Sequence, residues 1–302
     1  MNANGHEFPI RGATVGGMAT FPGRFDTLQR VVESIAPQLD CLFVYVNEAD
    51  SIPNFLNIPN VIPLLGTQYA GNISANGKIF PLQFTEDCAY FSLDDDFIFP
   101  SDYVAKMKGL LNEFNSSVTL TVHGSIFAPG AEWYYEKTVV YTARRALSAH
   151  KLVTLPGSGT FVFDQSSLKV RYEDFPPEPM VDLKFAILAR EQNLPIICVA
   201  RQEKWLESLA APGLWEAFLE RITHHTRVMR ETAPWDFEVM REIYRPLFDR
   251  AVQHDPSAAL LDPEVKLALR GGGIPSSWCR SVNTIKKRND YLRLIAGAEG
   301  QG

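Results

Sequence analysis

Through the first two thirds of the chain, short apolar runs alternate with segments of helical periodicity, a pattern that predicts an α/β fold with a largely parallel sheet. A first strand is expected within residues 12–21. Phe25, Leu28, Val31, Val32 and Ile35 then recur at helical spacing and mark one face of a helix that stops at Pro37. Residues 41–46 read as a buried strand ending on polar Asn47 and Glu48, and residues 61–65 as a second, weaker one, which together make a βαβ beginning. After a Gly/Asn-rich loop at 71–77 and a short helix, residues 88–93 form a strand that runs directly into Asp94-Asp95-Asp96. Ser101 and Asp102 are N-cap candidates for a helix whose apolar face is Tyr103, Met107, Leu110, Leu111 and Phe114. Further strands are expected at 118–127, within the aromatic stretch 133–141, at 161–163 after a glycine-rich turn, and at 194–200, with a helix over 181–190.

From about Leu206 the pattern becomes helical, without a strong strand, and is interrupted at Pro212, Pro234, Pro246, Pro256, Pro263 and Gly271-Gly272-Gly273. This divides the 302 residues into an α/β domain at 1–206 and a helical C-terminal extension at 207–302. Composition adds exclusions. The chain is 46% hydrophobic and 21% charged, as in ordinary globular proteins, and its 29 Lys+Arg against 35 Asp+Glu give a net charge of −6. That balance argues against sequence-independent nucleic-acid binding, which needs basic surface to displace counterions from phosphates. Cys41, Cys88, Cys198 and Cys279 are far apart with no CxxC pair, so they read as free thiols in a reducing compartment. The first residues carry no basic start followed by an apolar segment, and no uncharged apolar stretch approaches the ~18–20 residues that span a bilayer. The expectation is a cytoplasmic protein without a transmembrane segment; peripheral association at the inner face of the membrane and homo-oligomerisation stay open.

The strongest chemical feature is the aspartate triplet at the carboxyl end of an apolar strand. Adjacent carboxylates repel one another, and a hard divalent cation such as Mg²⁺ or Mn²⁺ relieves the conflict through oxygen ligation. Alternation along a strand would put Asp94 and Asp96 on one face and Asp95 on the other, although the same triplet also suits a solvated turn before Pro100. Gly157-Ser158-Gly159-Thr160 lacks the ending of a P-loop and reads as a turn.

Ala19-Thr20-Phe21-Pro22-Gly23-Arg24, the helix ending near Pro37, the strand ending in Tyr45-Val46-Asn47, and the triple-Asp version of an Asp-x-Asp motif come in an order that resembles the GT-A nucleotide-sugar glycosyltransferases related to glycosyltransferase family 2, of the bacterial polysaccharide and glycan-assembly type. The resemblance covers about residues 13–206. It implies a Rossmann-like mixed sheet flanked by helices, and a metal-dependent, inverting transfer of a sugar from a nucleotide diphosphate donor, a UDP-sugar first of all, to a glycan or lipid-linked acceptor. It further implies that Thr20, Phe21, Pro22 and Arg24 line the base and phosphate side of the donor pocket, that Asn47 touches uracil or ribose, and that Lys78 lies near the diphosphate. Asp94 and Asp96 would hold Mn²⁺ or Mg²⁺, Asp95 would help to hold the donor, and Asp182, at the start of its helix, would be the general base, with Glu173, Asp174 and Glu178 as nearby substitutes. His123-Gly124 and an Arg-x-x-x-Trp-Leu pattern at Arg201, Trp205 and Leu206 also match the resembled enzymes, and the pair His224-His225 offers a late histidine, His224, to the metal. The glycine pair Gly16-Gly17 is unusual for such a first strand and superficially resembles the loop of sugar-1-phosphate nucleotidyltransferases, an alternative activity; a non-catalytic glycan-binding or scaffold protein of the same fold is the other alternative.

Overall fold

The computed structural model describes residues 7–209, 215–235 and 239–245. Its centre is an eight-stranded sheet built from β1 (Thr14–Thr20), β2 (Cys41–Val46), β3 (Val61–Leu65), β4 (Ala89–Leu93), β5 (Thr119–Thr121), β6 (Lys151–Val153), β7 (Thr160–Asp164) and β8 (Ile196–Cys198), in the spatial order β6-β8-β5-β7-β4-β1-β2-β3. The strands β4, β1, β2 and β3 run parallel, as do β5 and β8 with each other. Strand β7 lies antiparallel between β4 and β5, and β6 antiparallel against β8. The sheet is therefore mixed, and six of its strands point the same way.

Helix α1 (Phe25–Ile35) buries Leu28, Val31, Val32 and Ile35, the face the periodicity predicts, and passes into a 3-10 turn at Pro37. Helices α2 (Tyr103–Glu113), α3 (Val181–Glu191) and α4 (Trp215–Glu231) complete the flanking layers. Asp102 stands at the N-cap of α2 without capping it through its side chain; its carboxylate instead pairs with Lys106 at 2.6 Å and accepts the Trp205 indole N–H at 3.3 Å.

Three expectations change. The run 118–127 is not one strand: β5 stops at Thr121, whose hydroxyl donates to the His123 carbonyl at 2.6 Å, and Gly124–Phe127 joins a separate three-stranded antiparallel sheet with Lys137–Tyr141 and Leu155–Pro156. Within 133–141, only Lys137–Tyr141 is extended, and the short helix before the aspartate strand is a pair of 3-10 turns, Ser74–Lys78 and Phe80–Phe84.

The glycine pair has a packing reason. A Cβ on Gly17 would stand 2.1 Å from both the Lys78 carbonyl oxygen and the Tyr90 hydroxyl, and one on Gly77 would meet the Tyr45 side chain at 2.9 Å and the Ala19 Cβ at 3.0 Å. Glycine on both sides lets the 74–78 turn lie directly on β1, where the Tyr90 hydroxyl donates to the Lys78 carbonyl at 2.7 Å.

The described part of the C-terminal segment shares this core. Glu207 and Ser208 pair with Phe97 and Ile98, Trp235 packs on Phe127 with ring centres 5.3 Å apart, and Tyr244 donates to the Val153 carbonyl at 2.6 Å. Ile222, Met229, Trp235, Met240 and Tyr244 are buried in the same apolar cluster as the sheet. Cys41, Cys88 and Cys198 are buried free thiols, while Cys279 and the breakers after residue 245 lie outside the described residues. Among the described residues no helix is long and apolar enough to cross a membrane.

At the outer edge of the sheet, β3 carries Pro63. Leu42 N–H donates to the Asn60 carbonyl, so the alternation of a parallel ladder turns Ile62 and Leu64 toward β2 and Pro63 away from it.

Candidate functional site

The chain leaves β1 through α1 to β2 and β3 on one side, then crosses back to β4 on the other, which makes the gap between the carboxyl ends of β1 and β4 a topological switch point. Ligands of open α/β sheets bind in that crevice. Here it is a cavity of about 480 Å³, whose walls include Thr20, Phe21 and Arg24 after β1, Asn47 after β2, the loop Asn72–Ala75, Lys78, and Asp94 and Asp95 after β4.

Strand β4 ends at Leu93, and the aspartates form a turn rather than a continuation of the strand. The alternation expected for a strand therefore does not apply. Asp94 pairs with the Lys78 ammonium, while Asp95 and Asp96 both turn to the Arg24 guanidinium, at 2.5 and 3.5 Å. A Cβ on Gly159 would sit 1.9 Å from Asp94 Oδ2, so the glycine leaves the space that this carboxylate fills.

The electrostatics remain anionic in spite of two cations. Asp95 is 3% exposed, and burial raises its pKa further than Arg24 can lower it. Burial and then the neighbouring Asp94 push the Asp96 carboxyl up to about 6. Burial pulls the Lys78 and Arg24 pKa values down, but the carboxylates outweigh it and leave both cations raised. Asp95 Oδ2 and the Thr20 hydroxyl are buried beside each other, and the Thr20 hydroxyl helps to lower the Asp95 pKa. Three carboxylates at one turn against two cations leave charge to neutralise, a donor set that fits a hard divalent cation.

Asn47 differs from its expected role of touching a nucleotide. Its Nδ2 donates to the carbonyls of Thr20 and Ser74, at 3.1 and 3.2 Å, and its Oδ1 accepts from the N–H groups of Ile73 and Ser74, at 3.0 and 3.1 Å. A side-chain amide has two N–H donors and two acceptor lone pairs, so all four are filled. Asn47 ties the 72–75 wall to the end of β1, and Ser74 holds a left-handed backbone (φ 50°) within that tie. The loop wall, with Asn72, Ile73, Ser74 and Ala75, is the part of the cavity that sequence reasoning missed; its Gly/Asn-rich composition marks a loop without showing that it folds back over β1 and β2.

The other flank is organised by the turn Gly157–Thr160, which enters β7. Ser158 N–H donates to Asp182 Oδ1 at 3.0 Å, the Ser92 hydroxyl donates to the Ser158 carbonyl at 2.5 Å, and the Lys78 ammonium reaches the Ser158 hydroxyl at 3.5 Å. Asp182 lies in the first turn of α3 without capping it, and its Oδ2 has no hydrogen-bond partner among the described residues. Pro177, Glu178 and Pro179, just before α3, line the cavity, while Asp182, the second residue of α3, is not part of its wall and neither is Asp96. His123 stands against Gly157 on the same flank, with its imidazole pKa lowered by burial. Glu173 and Asp174 lie in a separate 3-10 turn, where Asp174 accepts the Arg171 N–H at 2.8 Å.

Pro22 starts the 3-10 turn that leads into α1 and is not part of the cavity wall. His224 is on α4, where its Nδ1 lies 2.9 Å from Arg227 Nη2, and it does not line the cavity. His225 is buried edge-on against Tyr134. Among the described residues no three His, Cys, Asp or Glu side chains converge on a preformed ligand cluster. Trp205 packs on Tyr103 at 5.5 Å, with the Lys106 ammonium 5.2 Å over its ring, so its faces are engaged by protein. No family model matches this chain, and no curated protein does.

Proposed function

We propose that the protein is a GT-A-type glycosyltransferase that uses a divalent cation and a nucleotide-diphosphate sugar, and transfers the sugar with inversion to a glycan or lipid-linked acceptor. One observation carries the reading: at the switch point, a cavity of about 480 Å³ brings Asp94, Asp95, Lys78 and Arg24 together on its walls. That volume lies in the range of small-molecule sites, ~300–1,000 Å³.

Asp94 and Asp96 would hold Mg²⁺ or Mn²⁺, which when bound supplies positive charge to the diphosphate that departs, and Asp95 would help to hold the donor. The chain's own residues divide the remaining work. Lys78 and Arg24, now spent on carboxylates, are placed to exchange them for phosphate oxygens. Asn47 fixes the wall against which the nucleoside lies. Asp182 is anchored through Oδ1 by Ser158 N–H, which leaves Oδ2 to take the proton from an acceptor hydroxyl. The acceptor oxygen, relieved of its proton, then bonds to the anomeric carbon as the bond from carbon to the phosphate oxygen breaks, and the electron pair leaves on the nucleoside diphosphate.

A panel of nucleotide sugars, assayed with Mn²⁺ for release of free diphosphate, tests the reading. Asp96→Ala should abolish release while the protein stays folded, and Asp182→Asn should keep UDP binding but lose transfer. Release undiminished in Asp96→Ala would overturn it, and calorimetry showing no metal-dependent UDP binding would favour a glycan-binding scaffold.

A further inference from the structure

A second cavity, of about 580 Å³, lies between α2 and the segment that follows β8, and shares no lining residue with the first. Its chemistry centres on Arg201. The residue is 9% exposed, and its contacts are all to neutral acceptors: Nη1 to the Val199 carbonyl at 2.8 Å and to Cys198 Sγ at 3.5 Å, and Nη2 to the Thr142 carbonyl at 2.6 Å. Among the described residues no carboxylate pairs with it, and Nε is buried without a partner. A guanidinium has five N–H donors and these three contacts use at most three of them, so Nε and a further N–H remain. Buried charges are ordinarily paired, because an isolated ion in a low-dielectric interior is costly.

The surrounding walls are also rich in donors. His150 accepts the Ala200 N–H through Nδ1 at 3.2 Å, which makes its neutral ring a donor at Nε2, and burial lowers its pKa in the same sense. Lys106, although held by Asp102, lines the cavity with its ammonium above Trp205, and Ser148 adds a hydroxyl. Against these stands one lining carboxylate, Glu113.

We propose that this cavity is a second ligand site, which takes an oxyanion, a carboxylate or phosphate group on a small polar molecule, with the Arg201 guanidinium as its anchor. A planar fork matches either group bidentately. The inference does not depend on the activity proposed for the first cavity.

Calorimetric titration with inorganic phosphate and, separately, with acetate tests it in the full chain. Binding should persist in Arg24→Met, which removes one of the two cations of the first cavity, and weaken by about tenfold or more in Arg201→Lys, which keeps the charge and loses the fork. Should Arg201→Lys fail to melt cooperatively, His150→Phe replaces it and should weaken binding several-fold. Phosphate favoured over acetate identifies a phosphate ester as the ligand class, and the reverse identifies a carboxylate such as an acidic sugar. No saturable binding of either ion to the wild type, or binding lost in Arg24→Met and intact in Arg201→Lys or His150→Phe, overturns the proposal.

Discussion

Replacing Arg24 with Met keeps most of the side chain's hydrocarbon near Phe21 and deletes its charge. Asp95 is then left 3% exposed with no cation at 2.5 Å. Removing one partner of a buried ion pair costs about 3–5 kcal/mol. Proton uptake sets a ceiling on that cost: holding a carboxyl of ordinary pKa 3.8 neutral at pH 7 requires about 4 kcal/mol, and because the folded pKa already stands above that value the ceiling lies lower. The expected loss of stability is therefore at most about 3 kcal/mol at pH 7. Its pH dependence follows from the direction of the shift. Burial already holds the folded pKa of Asp95 above its unfolded value, so the stability it contributes is complete in acid and lost as pH rises through the folded pKa. Removing Arg24 lifts the folded pKa again, so the deficit of the variant is small near pH 4 and opens at up to about 1.4 kcal/mol per pH unit until Asp95 ionises. Urea unfolding of both proteins at several pH values between 4 and 7 measures this, and the double variant Arg24→Met/Asp95→Asn should recover most of the loss. A deficit that does not change with pH, or a double variant no more stable than Arg24→Met, would refute the assignment of a buried, charge-dependent pair.

Gly159→Ala should displace Asp94, since the new methyl would fall 1.9 Å from Oδ2 and 2.6 Å from its Cβ, and calorimetry should show Mn²⁺ affinity reduced at least tenfold, with about 3 kcal/mol of stability lost as buried Lys78 is left without its partner. Because Asp96 titrates at about 6 and a cation competes with its proton, Mn²⁺ affinity should rise about tenfold per pH unit below 6 and level off above it; an affinity independent of pH between 5 and 7 would contradict this. Asn47→Ala removes four hydrogen bonds from the 72–75 wall and should cost about 2–4 kcal/mol, with faster amide exchange at Ile73 and Ser74 as the specific signature.

The elements that depend on local pattern were legible in the sequence. Helix α1 has the predicted apolar face, and β2, β3 and β4 fall within a residue of the runs that mark them, because each buries a contiguous or periodic apolar set. The break after Thr121 was not legible, since β-compatible residues run through 118–127 and the bonds that divert the chain at His123 come from Thr121 and from Gly157 and Thr160, more than thirty residues away. The site divides in the same way. Thr20, Phe21, Arg24, Asn47, Lys78, Asp94 and Asp95 converge on one cavity, as the order of motifs implies. Their partners could not be read, because the Arg24–Asp95 pair spans 71 residues and a turn, not a strand, decides which aspartates share a neighbour. Asn47 carries a polar signal at a strand end in either role, and only the four filled bonds separate a clamp from a ligand contact. Gly17 is the clearest case of a residue whose reason lies in a distant backbone, since its close neighbour is the carbonyl of Lys78.

The outward-facing Pro63 on β3 bears on how copies of this protein meet. An open edge strand offers a row of N–H and C=O groups on which another molecule's strand can build, the usual route by which sheets grow into aggregates. Proline has no N–H to give, and its place in the middle of the five-residue strand Val61–Leu65 removes a donor from the side a visitor would use. Pro63 thus takes one donor from the outer side of the last strand of the sheet, without any change to the hydrogen bonds that hold β3 to β2.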